Sequence, residues 1–178
     1  MNVDQRKAAI ESILFAAGDP VSLEELRRVL NLTKLEVELL LSDMAREFEQ
    51  EQRGILLFLT PESVQLTSNP LYASSVMEYL QPTQQKSISQ AMLETLSIIA
   101  YKQPVTRADI EAIRGVRCEY SVGQLLKQGL IRELGRKDAV GRPMLFGTTD
   151  SFLRLFGLHS LSELPKLNEL DEVEAELQ

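Results

Sequence analysis

Two side chains that often carry catalysis near neutral pH, a cysteine and a histidine, occur once each, as Cys118 and His159. A Cys at a helix start could serve as a nucleophile, because a helix N-terminus stabilises a thiolate. No base is evident near Cys118, and a half-buried, helix-starting Cys is the plainer reading. His159, in Leu158-His159-Ser160-Leu161, has no Cys or second His with which to share a metal and reads as a surface residue. The stretch from Gly135 to Gly141 holds glycines and Lys137, but lacks the G-K-[ST] ending that binds phosphate and magnesium. No catalytic residue, cofactor or metal site is assigned.

Chemistry suited to binding is better represented. Arg132, Arg136, Lys137 and Arg142 cluster within eleven positions against only Glu133 and Asp138. Two readings stand side by side: a solvated charged hairpin, or a docking surface for an acidic partner segment or for phosphate. Pro143 after Arg142 fixes the start of an extended segment. Tyr101-Lys102 divides similarly, since Tyr101 either closes a helix against its own core or joins a binding surface, where Tyr is enriched.

The elements that must position these residues have to fit within 178 residues, enough for one domain or two small ones. The content is 44% hydrophobic and 25% charged, which excludes wholesale disorder. No apolar run approaches the roughly 20 residues that span a bilayer, and Met1 to Pro20 lacks the features of a secretory signal. A soluble, cytoplasmic protein is expected, with no membrane contact. Aromatics make up 6% with no Trp, so stacking platforms for single strands are not expected. The net charge of -7 is segregated. Residues 1–90 carry 8 basic and 13 acidic side chains, residues 91–162 carry 10 and 7, and residues 163–178 carry 1 and 6.

An offset of 84 residues exposes an internal repeat. Leu14-Phe15-Ala16 lies over Ile98-Ile99-Ala100, Pro20-Val21-Ser22 over Pro104-Val105-Thr106, and Glu25-Leu26 over Asp109-Ile110. In the first copy Ile10, Ile13, Leu14 and Ala17 recur at helical spacing and Gly18-Asp19-Pro20 ends the helix. Capping boxes at Ser22–Glu25 and Thr33–Glu36 open a short helix to about Leu30 and a longer one to near Gly54. Ile55 to Leu59 and Val64 to Thr67 read as strands around a turn, and Pro70 to Leu80 as one more helix. The second copy predicts helices over Ala91–Tyr101, Thr106–Ile113 and Cys118–Gln128, then strands over Leu130–Leu134 and Met144–Phe146. Gly123 weakens the third of these helices by about 1 kcal/mol relative to Ala. Three helices followed by a hairpin is the order of a winged helix, a helix-turn-helix with a β-hairpin attached. The expected fold is therefore mainly α with small β-hairpins, an α+β class, built as tandem winged-helix domains. Their bounds are 1–80 and 88–164, joined by a polar linker at 81–87 and followed by an acidic, disordered tail at 165–178.

Winged helices suggest DNA binding through the third helix, and charge tests the idea. Thr33 to Arg53 holds three basic and six acidic side chains, so phosphates would repel it. The corresponding second helix has Lys127 against Glu119 and no Arg, Asn or Gln within its first turn, Cys118 to Ser121, to read bases. Sequence-specific DNA binding is disfavoured on these grounds, and weak contact through the second hairpin stays open. The first module's third helix also has apolar residues on more than one face. Leu35, Leu39 and Phe48 are candidate dimerisation residues, the alternative being a wider core stripe.

The strings Leu93-Glu94-Thr95-Leu96-Ser97-Ile98-Ile99-Ala100-Tyr101-Lys102-Gln103-Pro104-Val105-Thr106-Arg107, Ile113-Arg114-Gly115-Val116, Gly129-Leu130-Ile131, Gly135-Arg136-Lys137 and Gly141-Arg142-Pro143-Met144-Leu145-Phe146-Gly147-Thr148-Thr149 occur in this order. Together they closely resemble the segregation and condensation protein B (ScpB) family of bacterial chromosome-partition proteins. The resemblance is dense over 93–149, and in order of elements it extends over 1–165. It implies two winged-helix domains, a homodimer formed through the first, and binding to the kleisin ScpA, with the structural maintenance of chromosomes (SMC) subunit reached indirectly through that kleisin. It implies a noncatalytic accessory subunit, associated with the nucleoid through the SMC complex and acting in chromosome condensation and partition during cell division. DNA would be met only indirectly or weakly. The candidate partner-binding set is Tyr101, Lys102, Arg107, Arg114, Arg136, Lys137, Arg142 and Pro143. The alternative function is a winged-helix transcriptional regulator.

Overall fold

The computed structural model describes residues 1–80 and 88–166; the expected linker at 81–87 and the tail beyond Lys166 lie outside the described residues. The chain divides into two compact units, Met1–Lys86 and Ser87–Gln178.

In the first unit α1 (Val3–Ala17) starts at Asn2, whose side chain accepts the Gln5 N–H at 2.8 Å while Gln5 accepts the Asn2 N–H at 3.0 Å. It ends at Gly18, whose φ of 67° suits a residue without a Cβ. Strand β1 (Val21–Ser22) leads into α2 (Leu23–Leu30), and Thr33 with Glu36 forms the reciprocal box that opens α3 (Lys34–Gln50). Strands β2 (Ile55–Leu59) and β3 (Ser63–Ser68) make the hairpin, then a 3-10 turn at Pro70–Tyr72 passes into α4 (Ala73–Leu80). The sheet order is β1-β3-β2, antiparallel, with Val21 opposite Val64 and Leu57 opposite Leu66. The core joins Ile10 and Leu14 of α1, Leu26 of α2, and Val37, Leu41, Met44 and Phe48 of α3 with Leu57 and Val64 of the sheet. Each such side chain contributes about 1.5–3 kcal/mol by leaving water.

The second unit repeats the plan. Helix α5 (Gln90–Lys102), strand β4 (Val105–Thr106), α6 (Arg107–Arg114) and α7 (Glu119–Lys127) precede β5 (Ile131–Arg136) and β6 (Met144–Thr148). Helix α8 (Asp150–Phe156) and a 3-10 turn at Leu161–Glu163 follow. Sheet order is β4-β6-β5, and Val105 faces Phe146 much as Val21 faces Val64. Leu96, Ile99, Ile110, Val122, Leu125, Phe146 and Phe152 form the centre of its core. Both units are thus winged helices whose wing carries a third short strand.

Several details differ from the sequence reading. The two-residue strands β1 and β4 went unforeseen, because two residues carry no period. At Ser22 only half the capping box forms: its hydroxyl accepts the Glu25 N–H at 3.1 Å, while the Glu25 carboxylate lies 3.7 Å from Arg28. Strand β5 runs on to Arg136 through a bulge between Glu133 and Gly135, which Gly135 permits with φ of 122°. Helix α7 begins at Glu119, one residue after Cys118, and Cys118 makes no side-chain cap.

Candidate partner-binding surfaces

On α3 the residues Val37, Leu41, Met44 and Phe48 turn inward, and the i, i+4 pair Leu35 and Leu39 faces outward. Leu35 is 65% and Leu39 61% exposed. A groove of about 440 Å³ runs between α1 and α3, lined by Val3, Leu39 and Leu40 and by Arg6, Glu36, Ser42, Asp43 and Arg46. Charge pairs rim it: Arg6 meets Glu36 at 3.2 Å, Lys7 bonds Glu47 at 2.6 Å and also Asp43, and Arg46 bonds Asp43. Hydrogen bonds to Asp43 and Glu47 hold the proton on Lys7 above its ordinary pKa, and the bond from Lys7 draws Asp43 below its own. An apolar centre rimmed by charge is the composition of a protein interface.

Phe48 does not belong to this face, which corrects the sequence assignment. It is 2% exposed in the core of its own unit, and the Arg53 guanidinium covers its ring at 4.2 Å. Four residues beyond Met44, it continues the buried stripe. Other apolar side chains of the first unit are exposed that sequence reasoning passed over. Phe15 on α1 is 81% exposed and Tyr79 on α4 87%, and α4 buries none of its residues. Phe15 carried a signal, since it follows Leu14 directly and so falls off the α1 core stripe.

In the second unit the structure scatters the candidate set over three places. Arg136, Lys137, Arg142 and Pro143 share the tip of the β5–β6 hairpin. The Pro143 carbonyl accepts the Lys137 N–H at 2.9 Å, the Arg142 N–H reaches the Ala139 carbonyl at 2.9 Å, and Arg136 Nη1 donates to the Arg142 carbonyl at 3.1 Å. Arg142 itself holds φ at 41°, a left-handed conformation that non-glycine residues seldom keep. Lys137 Nζ lies 3.8 Å from Asp109, which links the tip to the start of α6, where Arg107 pairs with Glu119 at 3.2 Å. Hydrogen bonds from the Thr106 hydroxyl and backbone hold the Asp109 carboxyl below its ordinary pKa.

Tyr101 and Lys102 end α5. The Tyr101 hydroxyl donates to the Pro165 carbonyl at 2.7 Å, so it is engaged within its own unit, and Lys102 is exposed. Arg114 does not present its charge to a partner, a second correction. Its side chain is only 8% exposed and pairs with Glu94 at 2.9 Å, and its buried Nε has no hydrogen-bond partner. Sequence gives no sign of this, because the pairing carboxylate stands twenty positions earlier.

Cys118 is buried, and burial pushes its thiol above the ordinary pKa, with Glu111 adding to the shift, the reverse of an activated nucleophile. His159 donates its backbone N–H to Glu163 at 2.9 Å. Among the described residues, no group of three or more His, Cys, Asp or Glu could hold a metal, and no helix is long and apolar enough to cross a membrane.

Comparison with known proteins agrees with this picture. Residues 8–167 match the family model for segregation and condensation complex subunit ScpB. Segregation and condensation protein B of Alkaliphilus metalliredigens is 42% identical over 99% of this chain and 93% of its own. The protein of the same name from Clostridioides difficile is 41% identical over 97% and 98%, and that from Clostridium tetani 45% over 92% and 86%. Among solved structures, ScpB from Mycobacterium tuberculosis aligns at 34% identity over 89% of this chain and 98% of its own, with a TM-score of 0.44. A dimer of an ScpB N-terminal domain complexed with an ScpA peptide aligns at 28% identity over 43% of this chain and 96% of its own, with a TM-score of 0.41.

Proposed function

The chain belongs to the family of segregation and condensation complex subunit ScpB, and from that premise we propose that it is a noncatalytic accessory subunit of a bacterial SMC–kleisin complex. It forms a homodimer through its first winged helix and binds the kleisin ScpA, supporting chromosome condensation and partition during cell division. It works in the cytoplasm, associated with the nucleoid through the complex, and meets SMC through the kleisin.

The observation that carries this reading is sequence identity of 41–45% in matches that cover 92–99% of this chain and so take in both units. The surfaces support it. An exposed Leu35–Leu39 pair beside a charge-rimmed groove suits a self-complementary dimer contact. The hairpin tip with Arg136, Lys137 and Arg142 suits an acidic segment of the kleisin. A dimer holding two such tips engages one kleisin at more than one place and gains avidity through effective concentration. Cys118, a buried thiol whose pKa is raised, is unsuited to act as a nucleophile in this reading.

The test is titration of the full chain with a kleisin fragment by calorimetry, with duplex DNA in parallel. The adaptor reading expects heat and a defined stoichiometry with the kleisin; tight binding to a defined duplex together with indifference to kleisin fragments would sink it.

A further inference from the structure

We propose, on the premise of the adaptor role above, that the groove between α6 and the start of β6 seats an extended, acidic segment of the kleisin. One apolar side chain of that segment enters the groove, and its carboxylates meet the hairpin tip. The groove holds about 430 Å³, with an apolar lining from Ala108, Pro143, Met144 and Phe146 and with Arg107 and Glu111 on its α6 side. A cavity of roughly 150 Å³ takes up a benzene molecule, so a side chain as large as Leu or Phe fits with backbone beside it.

Charge decides the kind of occupant. The acids around the groove are already engaged: Glu111 accepts the Cys118 N–H at 2.9 Å, Asp109 accepts the Thr106 N–H at 3.0 Å, and Glu119 lies 3.2 Å from Arg107. Arg136 and Arg142, by contrast, are exposed and form no ion pair among the described residues, with only Asp138 as a neighbouring acid at the tip. The Arg107–Glu119 pair is itself at the surface, so a second carboxylate competes for Arg107 at small cost. The tip is also held in shape. Arg142 keeps its φ of 41° between two bonds, its N–H to the Ala139 carbonyl and its carbonyl to Arg136, and strained backbone of this kind gathers at binding sites.

The repeat supplies an internal comparison. The same place in the first unit is a groove of about 380 Å³, where Leu23 and Glu24 occupy the positions of Arg107 and Ala108. There Arg27 is bound to Glu24 at 2.8 Å, Lys34 lies 3.7 Å from Glu38, and the turn Thr60-Pro61-Glu62 carries no cation. An acidic segment therefore favours the second groove over the first.

Calorimetric titration with a kleisin ScpA fragment tests this on the full chain and on three variants, Ala108→Glu, Ala108→Trp and, away from the groove, Lys127→Gln. Ala108 is exposed, so its variants should keep the parent's melting temperature. Both should raise Kd by about tenfold or more, and Lys127→Gln should stay within about twofold of the parent. If the parent binds and both Ala108 variants bind equally well, the groove is excluded and the adaptor role stands. A loss with Ala108→Glu alone would reduce the contact to charge and overturn the apolar seat, whereas a parent that gives no heat overturns the adaptor role itself. A photo-crosslinking residue in place of Ala108 should capture the kleisin fragment; links only to a second copy of this chain would also overturn the proposal.

Discussion

Leu39 and Phe48 lie on one helix, nine residues apart, and do opposite work. Phe48 is sealed in the core under Arg53, so Phe48→Ala should cost about 3–5 kcal/mol, read as a fall in the denaturation midpoint. Leu39 with Leu35 faces out, so Leu35→Asp with Leu39→Asp should leave the fold intact by circular dichroism and halve the mass seen in sedimentation of the full chain. A dimer that survives this double change would place the interface elsewhere. At the other unit's hairpin, Arg136→Glu with Arg142→Glu should weaken kleisin binding by at least tenfold and leave the melting temperature unmoved; unchanged affinity would return both arginines to the role of solvated charges. These assignments were unequally legible. The burial of Phe48 is legible, because i+4 from Met44 places it in the buried stripe. That of Arg114 is not, since only the fold brings Glu94 to it and withdraws it from the surface.

At the scale of elements, the local chemistry of caps and turns accounts for most of what the sequence made legible. Gly18 and Gly115 stop their helices, Thr33 and Thr106 start theirs, and the 84-residue offset maps the first winged helix onto the second. Illegible were the strands β1 and β4, which are recognisable only once β3 and β6 come beside them. Two glycines test the packing in opposite directions. A Cβ on Gly123 meets nothing within 4 Å, so Gly123→Ala should stabilise the second unit by about 1 kcal/mol. A Cβ on Gly147 would fall 2.6 Å from Leu134 Cδ1 and 2.7 Å from Gln103 Oε1. Gln103 already accepts the Thr148 N–H at 2.8 Å and cannot move freely, so Gly147→Ala should destabilise by about 1–3 kcal/mol. Thermal melts of both variants decide the pair, and a Gly123→Ala chain that melts lower would contradict it. The α6 cap adds a pH dependence. The Asp109 carboxyl is held below its ordinary value of 3.8, so its contribution is full above that pH and disappears as pH falls through the lowered folded value. Asp109→Asn should therefore lower the midpoint at pH 7, and its difference from the parent should shrink once the pH drops below 3.8. A difference that persists undiminished in acid would reject the cap as its source.

For the whole molecule, the net charge of -7 conceals an acidic first unit, a basic second one and an acidic end. That division separates an adaptor from a DNA reader. Helix α3 lies in an acidic stretch, α7 carries Lys127 against Glu119, and Arg136, Lys137 and Arg142 stand together at the hairpin tip. A protein held to DNA by six to ten phosphate contacts loses roughly a thousandfold or more in affinity between about 50 and 200 mM salt, whereas burial of apolar surface changes little over that range. Calorimetric titration of the full chain with a kleisin ScpA fragment, at those two salt concentrations and with duplex DNA as the parallel titrant, reads this difference directly. The account predicts saturable kleisin binding whose affinity changes by less than about tenfold between them, and DNA binding far weaker at both; tight, steeply salt-dependent binding to duplex with no heat from the kleisin would contradict it.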